Sequence, residues 1–183
     1  MKQQIKQEQI NEWKEKYGQI YELPVEDKVA YLREPKMTTF KHAFSAMQKD
    51  GEMTFGEVML NELFIGGDEE IKTNDDYFFA ARKELANFFN FDDAEITSEG
   101  NNSVIIIGEE KCTVRVITRQ DIKTAEKKNP SAKPFVTQEK LFEMICIKKD
   151  DVFNDRENAS IRFPLYQAIE KLQNKKVASL KKL

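Results

Sequence analysis

Apolar positions along this chain switch between a helical period and short β-like runs, and the switching sketches an architecture. Between Lys2 and Tyr17, the residues Ile5, Gln9, Ile10, Trp13 and Tyr17 fall near helical spacing with charges between them. This predicts an amphipathic helix stopped by Gly18. Ile20–Val25 and Lys28–Arg33 are two apolar-rich runs around the acidic pair Glu26-Asp27, which predicts a β-hairpin. Pro24 has no N–H to give a ladder, so its strand belongs at a sheet edge. Thr38 or Thr39 is placed to cap a helix reaching Gln48, with Phe40, Ala43, Phe44 and Met47 on one face. After Asp50-Gly51, Thr54 and Glu57 have capping-box spacing. Val58, Met59, Leu60, Leu63 and Phe64 supply the next stripe, which Gly66-Gly67 is expected to stop. Thr73 to Asp76 then caps a third helix through Phe89.

The second half follows the same order. Ser103–Ile107 and Lys111–Ile117 flank Gly108-Glu109-Glu110 as a second hairpin, at an offset of 83 from Val25-Glu26-Asp27. Asp121 to Lys128 is a helix candidate, and Thr137 begins another. Glu57 to Ile65 lies over Glu139 to Ile147 at an offset of 82, and Gly66-Gly67-Asp68-Glu69 lies over Lys148-Lys149-Asp150-Asp151. A last helix, Leu165 to Leu172, follows Pro164. Charged and turn positions coincide along with the apolar ones, which favours an internal repeat over shared patterning alone. The expected fold is α+β and predominantly helical, two diverged copies of a β-hairpin plus helices module. The expected segments are an N-terminal helix (1–17), a first module (18–91), a linker (92–102), a second module (103–173) and a basic tail (174–183).

Composition narrows the function classes. With 40% hydrophobic and 33% charged residues, the chain can bury a core behind a heavily solvated surface. A net charge of −3 argues against nucleic acid as the main partner, because phosphate binding needs a clustered positive field. No apolar run reaches the roughly 20 residues that span a bilayer, so no membrane partner is expected. The polar start, Met1 to Gln9, lacks a signal-peptide core, and Cys112 and Cys146 read as buried free thiols. Both point to the cytoplasm.

Catalytic and ligand-binding patterns are weak. His42 is the single histidine and has no serine or cysteine motif beside it. With Cys112 and Cys146 it shows no paired metal-ligand spacing. Gly66-Gly67 follows a helix, lacks the Lys-Ser/Thr of a phosphate loop and precedes three acids. Asp68-Glu69-Glu70 and Asp92-Asp93 lack the alternating ligands of a calcium loop and read as solvated acidic turns. No catalytic residue, cofactor or metal is therefore assigned, and a non-enzyme is expected. Phe88, Phe89 and Phe91 crowd more apolar surface onto one segment than a helix buries on one side, so a partner or the second module could cover the excess.

Lys28-Val29-Ala30-Tyr31-Leu32-Arg33-Glu34-Pro35, followed by a helix, Leu63-Phe64-Ile65-Gly66-Gly67-Asp68-Glu69-Glu70-Ile71 and Phe79-Ala80-Ala81, resembles the tail-assembly chaperones of tailed phages and prophages. The match runs from Gly18 to Phe89. The resemblance implies a mostly helical protein of the host cytoplasm that coats the tape-measure protein, helps recruit tail-tube protein and is absent from the finished virion. Lys148-Lys149 and Pro164 depart from the pattern in the second half, which fits either a frameshift-type extension or a duplication. The candidate partner-binding residues are Leu63, Phe64, Ile65, Phe88 and Phe89, with Met144 and Ile145 from the second copy; ordinary core packing competes for each. The rival reading is a structural virion component, a tail-completion or head-tail connector protein. Homo-oligomerisation is left open.

Overall fold

A computed structural model describes residues 7–174 together with 178, 179 and 182. The expected helical residues before Gln7, and most of the basic tail, lie outside the described residues. The fold is α+β and predominantly helical, with two small antiparallel sheets, and it divides into two compact units, Met1–Asn90 and Phe91–Leu183.

The first unit opens with α1 (Gln7–Tyr17), which Gly18 ends in a left-handed conformation at φ 77°. Strands β1 (Ile20–Val25) and β2 (Lys28–Arg33) form the expected hairpin, with Val25 opposite Lys28. β1 is an edge strand, as Pro24 requires. Helix α2 spans Met37–Asp50 and α3 spans Glu52–Leu63. They pack with Phe44 against Phe55, ring centroids 5.0 Å apart. Neither predicted cap forms. α2 begins before Thr38 with Lys36 at its N-cap, and Thr39 is buried. α3 begins at Glu52 behind Gly51, so Thr54 lies inside the helix and its hydroxyl donates back to the Asp50 carbonyl at 3.4 Å.

Gly66-Gly67 is not a helix stop. α3 ends at Leu63, and Phe64–Gly67 forms β3, antiparallel to β2. A short helix, α4 (Glu70–Thr73), buries Ile71 completely. Then α5 (Asp75–Glu84) starts on Asn74, whose side chain accepts from the Asp76 N–H at 3.0 Å. A 3-10 turn, Leu85–Phe89, replaces the expected last helical turns.

The second unit carries the corresponding elements. Residues 92–102, expected as a linker, contain β4 (Glu95–Glu99), which pairs with β5 (Asn102–Ile107) and widens the sheet to four strands. β6 (Glu110–Val114) stops three residues short of the predicted Ile117. α6 (Arg119–Lys127) starts on a capping box of Thr118 and Asp121. α7 (Val136–Ile145) gives way to β7 (Cys146–Lys149), a second strand the pattern concealed. The final helix, α8 (Ala159–Gln173), runs through Pro164 instead of starting after it. The ring removes one backbone hydrogen bond, but Leu165, Tyr166, Ala168 and Ile169 are buried beyond it and hold the helix in place.

One register relates the two units throughout. β2 pairs with β3 through Ala30–Gly67, Tyr31–Gly66 and Leu32–Phe64, with a bulge after Tyr31. β6 pairs with β7 through Cys112–Lys149, Thr113–Lys148 and Val114–Cys146, with a bulge after Thr113. Every pair is displaced by 82 residues. The hairpin turns obey the same offset, since the left-handed positions are Glu26 (φ 53°) and Gly108 (φ 61°). The offset of 83 expected for the hairpins is therefore corrected to 82. Fully buried residues coincide as well: Leu63 with Ile145, and Ile71 with Phe153.

Candidate interaction surface

The most regular polar feature is a clasp that each unit builds at the end of the strand continuing directly from a helix, β3 in the first unit and β7 in the second. In the first unit, the Val29 N–H donates to Asp68 Oδ2 at 2.9 Å, while the Asp68 N–H donates to the Val29 carbonyl at 2.8 Å. In the second, the Lys111 N–H donates to Asp150 Oδ2 at 2.8 Å, and the Asp150 N–H donates to the Lys111 carbonyl at 3.1 Å. The aspartate leaves the sheet where the strand ends, and its carboxylate serves the next strand amide. Arginine completes the clasp. Arg33 Nε donates to the Glu62 carbonyl at 2.9 Å, and Arg115 Nη2 donates to the Met144 carbonyl at 3.3 Å. Both carbonyls lie in the last turn of a helix, where backbone acceptors lack intrahelical donors.

Of the acids after Gly67, Glu69 and Glu70 are exposed, as a solvated turn requires, while Asp68 is half-buried. Asp68 carries the clasp, Glu70 pairs with Lys28, and Glu69 pairs with Lys72 at 2.7 Å. Gly67 sits at φ 107°, and a Cβ there would strike the Val29 carbonyl oxygen. Gly66 is bare for a different reason. A Cβ on it would lie 2.5 Å from Trp13, whose ring rests on the strand and lies 5.4 Å from the Tyr31 ring.

The clasp in the second unit carries an added ion pair. Arg115 donates to both Asp121 carboxylate oxygens at 2.8 Å, and the Thr118 N–H and hydroxyl also donate to Asp121. The guanidinium, with Thr118, holds the Asp121 carboxyl well below the ordinary carboxylate range. Arg162 is buried on α8 and donates to the Phe153 carbonyl at 2.9 Å and the Asp155 carbonyl at 3.1 Å, tying a short 3-10 turn to the helix.

Thiol and imidazole chemistry is quiet. Cys112 and Cys146 are free, and burial pushes the Cys112 thiol up to about 12, far from the thiolate that a nucleophile needs. Cys146 is only half-buried, contrary to the expectation for both, and its thiol is also raised by burial. His42 lies at the surface, 2.8 Å from Glu62. Among the described residues, no group of three or more His, Cys, Asp and Glu side chains could hold a metal ion. No described helix is long and apolar enough to cross a membrane.

The residues proposed for partner binding are scattered in role. Leu63 and Ile145 are fully buried at the ends of their helices, so neither presents a surface. Phe64 is half-buried beneath Lys72, whose ammonium stands 4.0 Å from the ring centroid. Phe88 packs edge-on against Tyr21 at 4.9 Å, and Phe89 against Phe40 at 4.9 Å, with Phe44 and Phe55 beyond. Phe89 thus packs within an aromatic cluster of the first unit, Phe88 stays half-buried against Tyr21, itself 37% exposed, and Phe91 stacks on Phe163 within the second unit. Ile65 and Met144 remain half-buried.

Apolar side chains reach solvent elsewhere. In the first unit they are Tyr21 on β1, Met53 at the start of α3, and Phe79 on α5, which is 44% exposed. Arg82 lies beside Met53, its Nη1 3.4 Å from the sulfur. α3 and α5 meet at Gly56, where a Cβ would lie 3.3 Å from the Arg82 Cβ and 3.4 Å from Phe78. In the second unit they are Val116 (62%), two residues past β6, and Ile147 (57%) on β7. The doublet Phe78-Phe79 carried a signal for the first of these patches, since adjacent helical residues cannot both face one core. No family model, curated protein or solved structure matches this chain.

Proposed function

We propose that this chain is a tail-assembly chaperone of the phage type, a non-enzymatic protein that binds the tape-measure protein and assists tail-tube assembly in the host cytoplasm. The observation that carries the reading is the role of the residues that bear the family resemblance. Arg33, Gly66, Gly67, Asp68 and Ile71 all serve the fold: they clasp strands, seat Trp13 or fill the core. A signature that specifies a joint, and no reacting group, supports a reading in which the chain works by binding. The repetition of the same joint around Arg115 and Asp150 supports a duplicated module over an unrelated extension. Two copies in one chain suit a long helical client, because linked modules raise each other's effective concentration. The exposed pair Met53 and Phe79 is the contact we assign to the client, as apolar side chains between helices accept an amphipathic helix.

Co-expression with the tape-measure protein, followed by size-exclusion chromatography, tests this. The client should be soluble only with the chain and should co-elute with it, and Phe79→Asp should abolish co-elution while leaving the chain folded. If the chain instead never co-elutes and appears in purified virions, the structural-component reading replaces it.

A further inference from the structure

The two sheets end differently beyond their hairpins. Among the described residues no strand pairs with the outer edge of β1, whereas β4 lies on the matching edge of β5. The clasp fixes which backbone groups point to each edge, because opposed residues of an antiparallel ladder exchange both hydrogen bonds or neither. Val29 gives its N–H and carbonyl to Asp68, so Pro24 opposite it faces the open edge. Lys111 does the same with Asp150, so Ile106 opposite it faces Glu95 of β4. Pro24 and Ile106 occupy one position of the repeat, 82 residues apart. The N–H that helps carry β4 in the second unit is the one that proline deletes in the first.

The rest of the β1 edge is blunted as well. By the same alternation Ile20 and Glu22 also face outward, and the Ile20 carbonyl already accepts from the Gln19 side chain at 3.1 Å. Two copies of β1 paired antiparallel about Glu22 would oppose Glu22 to Glu22 and Pro24 to Ile20. Like charges would then face each other, and each proline would leave a carbonyl without its donor. β4 is in turn a poor template for a further strand, with five residues, an acid at each end and Ile96 as its one apolar side chain. We infer that Pro24 and β4 are alternative guards of the same sheet edge, and that what they exclude is strand addition by a second copy of this chain. An unguarded edge presents the same row of donors and acceptors on every copy, which makes another copy its ready complement. Edge closure of this kind goes beyond the chaperone reading and does not depend on it.

Sedimentation velocity and hydrogen exchange of the full-length chain test this. In the wild type the Glu22 amide should exchange freely, and the Val104 and Ile106 amides, paired with β4, should exchange slowly. Combining Glu22→Thr with Pro24→Val restores the donor and removes the charge. This double variant should show a concentration-dependent dimerisation that the wild type lacks, with the amide at position 22 protected in the dimer. Thr97→Pro removes a β4 bond to Val104, so it should free the Val104 and Ile106 amides at low concentration and also promote association. If Thr97→Pro fails to fold, the double variant decides, because its changes lie on an edge strand and favour strand residues. A Glu22 amide already protected in the wild type overturns the inference. So does a folded double variant that associates no more than the wild type, or one whose dimer leaves the amide at position 22 exchanging. Thr97→Pro that frees Val104 without association overturns it too.

Discussion

In the first unit, β2 is buried on both faces: Ala30 and Leu32 point to the helices, and Val29 and Tyr31 lie on the face that bears α1. In the second unit, β6 alternates, with Cys112 and Val114 buried while Lys111 and Thr113 reach solvent to differing degrees. Each unit nevertheless keeps the same strand register, bulge, aspartate clasp and arginine contact. The difference teaches which residues define the module and which serve a neighbour of it. Asp68 and Asp150 are common property, whereas Gly66 and Trp13 belong to one copy. A sheet covered on two sides reads as continuously apolar, and a sheet covered on one side alternates.

The equivalence of the two cores is the first thing to break. Leu63→Ala and Ile145→Ala remove matched, fully buried side chains and should each cost about 2–5 kcal/mol in the unfolding of its own unit. Chemical denaturation measures both, and a loss in one with none in the other would undo the match. The comparison sharpens at the next pair. Gly67→Ala forces a Cβ onto the Val29 carbonyl at positive φ and should cost about 3 kcal/mol. Lys149, at the equivalent position, is exposed on its strand, so Lys149→Ala should stay within about 0.5 kcal/mol.

Acid separates the units by a smaller effect. Asp121 has a folded pKa below its unfolded value, so it contributes stability above the ordinary carboxylate range near pH 4. That contribution is lost as pH falls toward the lower, folded value. The first unit has uncharged Thr39 at the matching position. Asp121→Asn should therefore flatten the acid limb of the second unit's stability below about pH 4. Thermal melts from pH 5 down to pH 2 would show it. The smallest effect is kinetic: at pH 8 a thiol reagent should modify half-buried Cys146 before buried Cys112. Mass spectrometry of the partly labelled chain would give the order, and Cys112 first would contradict the packing.

Where periodicity and turn chemistry agreed, the elements were legible. The first hairpin is legible to the residue because Pro24, the acidic turn and the flanking apolar runs all point one way. β3 and β7 were hidden, because Phe64-Ile65 and Cys146-Ile147 prolong the helical stripes before them and four residues cannot establish a new period. β4 carries one apolar residue, Ile96, in five, so it read as linker. Matching the acidic residues sets the hairpin offset one residue too high. What fixes the turn is the left-handed position, held by Glu26 in one copy and Gly108 in the other. Of the proposed contact residues, Leu63 and Ile145 are fully buried at the helix ends that lead into β3 and β7, two strands that the pattern hides. The clasp was illegible for a related reason: it joins residues 39 apart, and no local pattern announces a carboxylate that serves a distant strand amide.

The repeat rests most directly on that clasp being one device used twice. Hydrogen exchange of the Val29 and Lys111 amides, in wild type and in Asp68→Ala and Asp150→Ala, tests it directly. Both amides should be protected, Asp68→Ala should release Val29, and Asp150→Ala should release Lys111. If one of these amides exchanges freely in the wild type, or keeps its protection after its aspartate is removed, the two units do not share the joint and the repeat loses its physical basis.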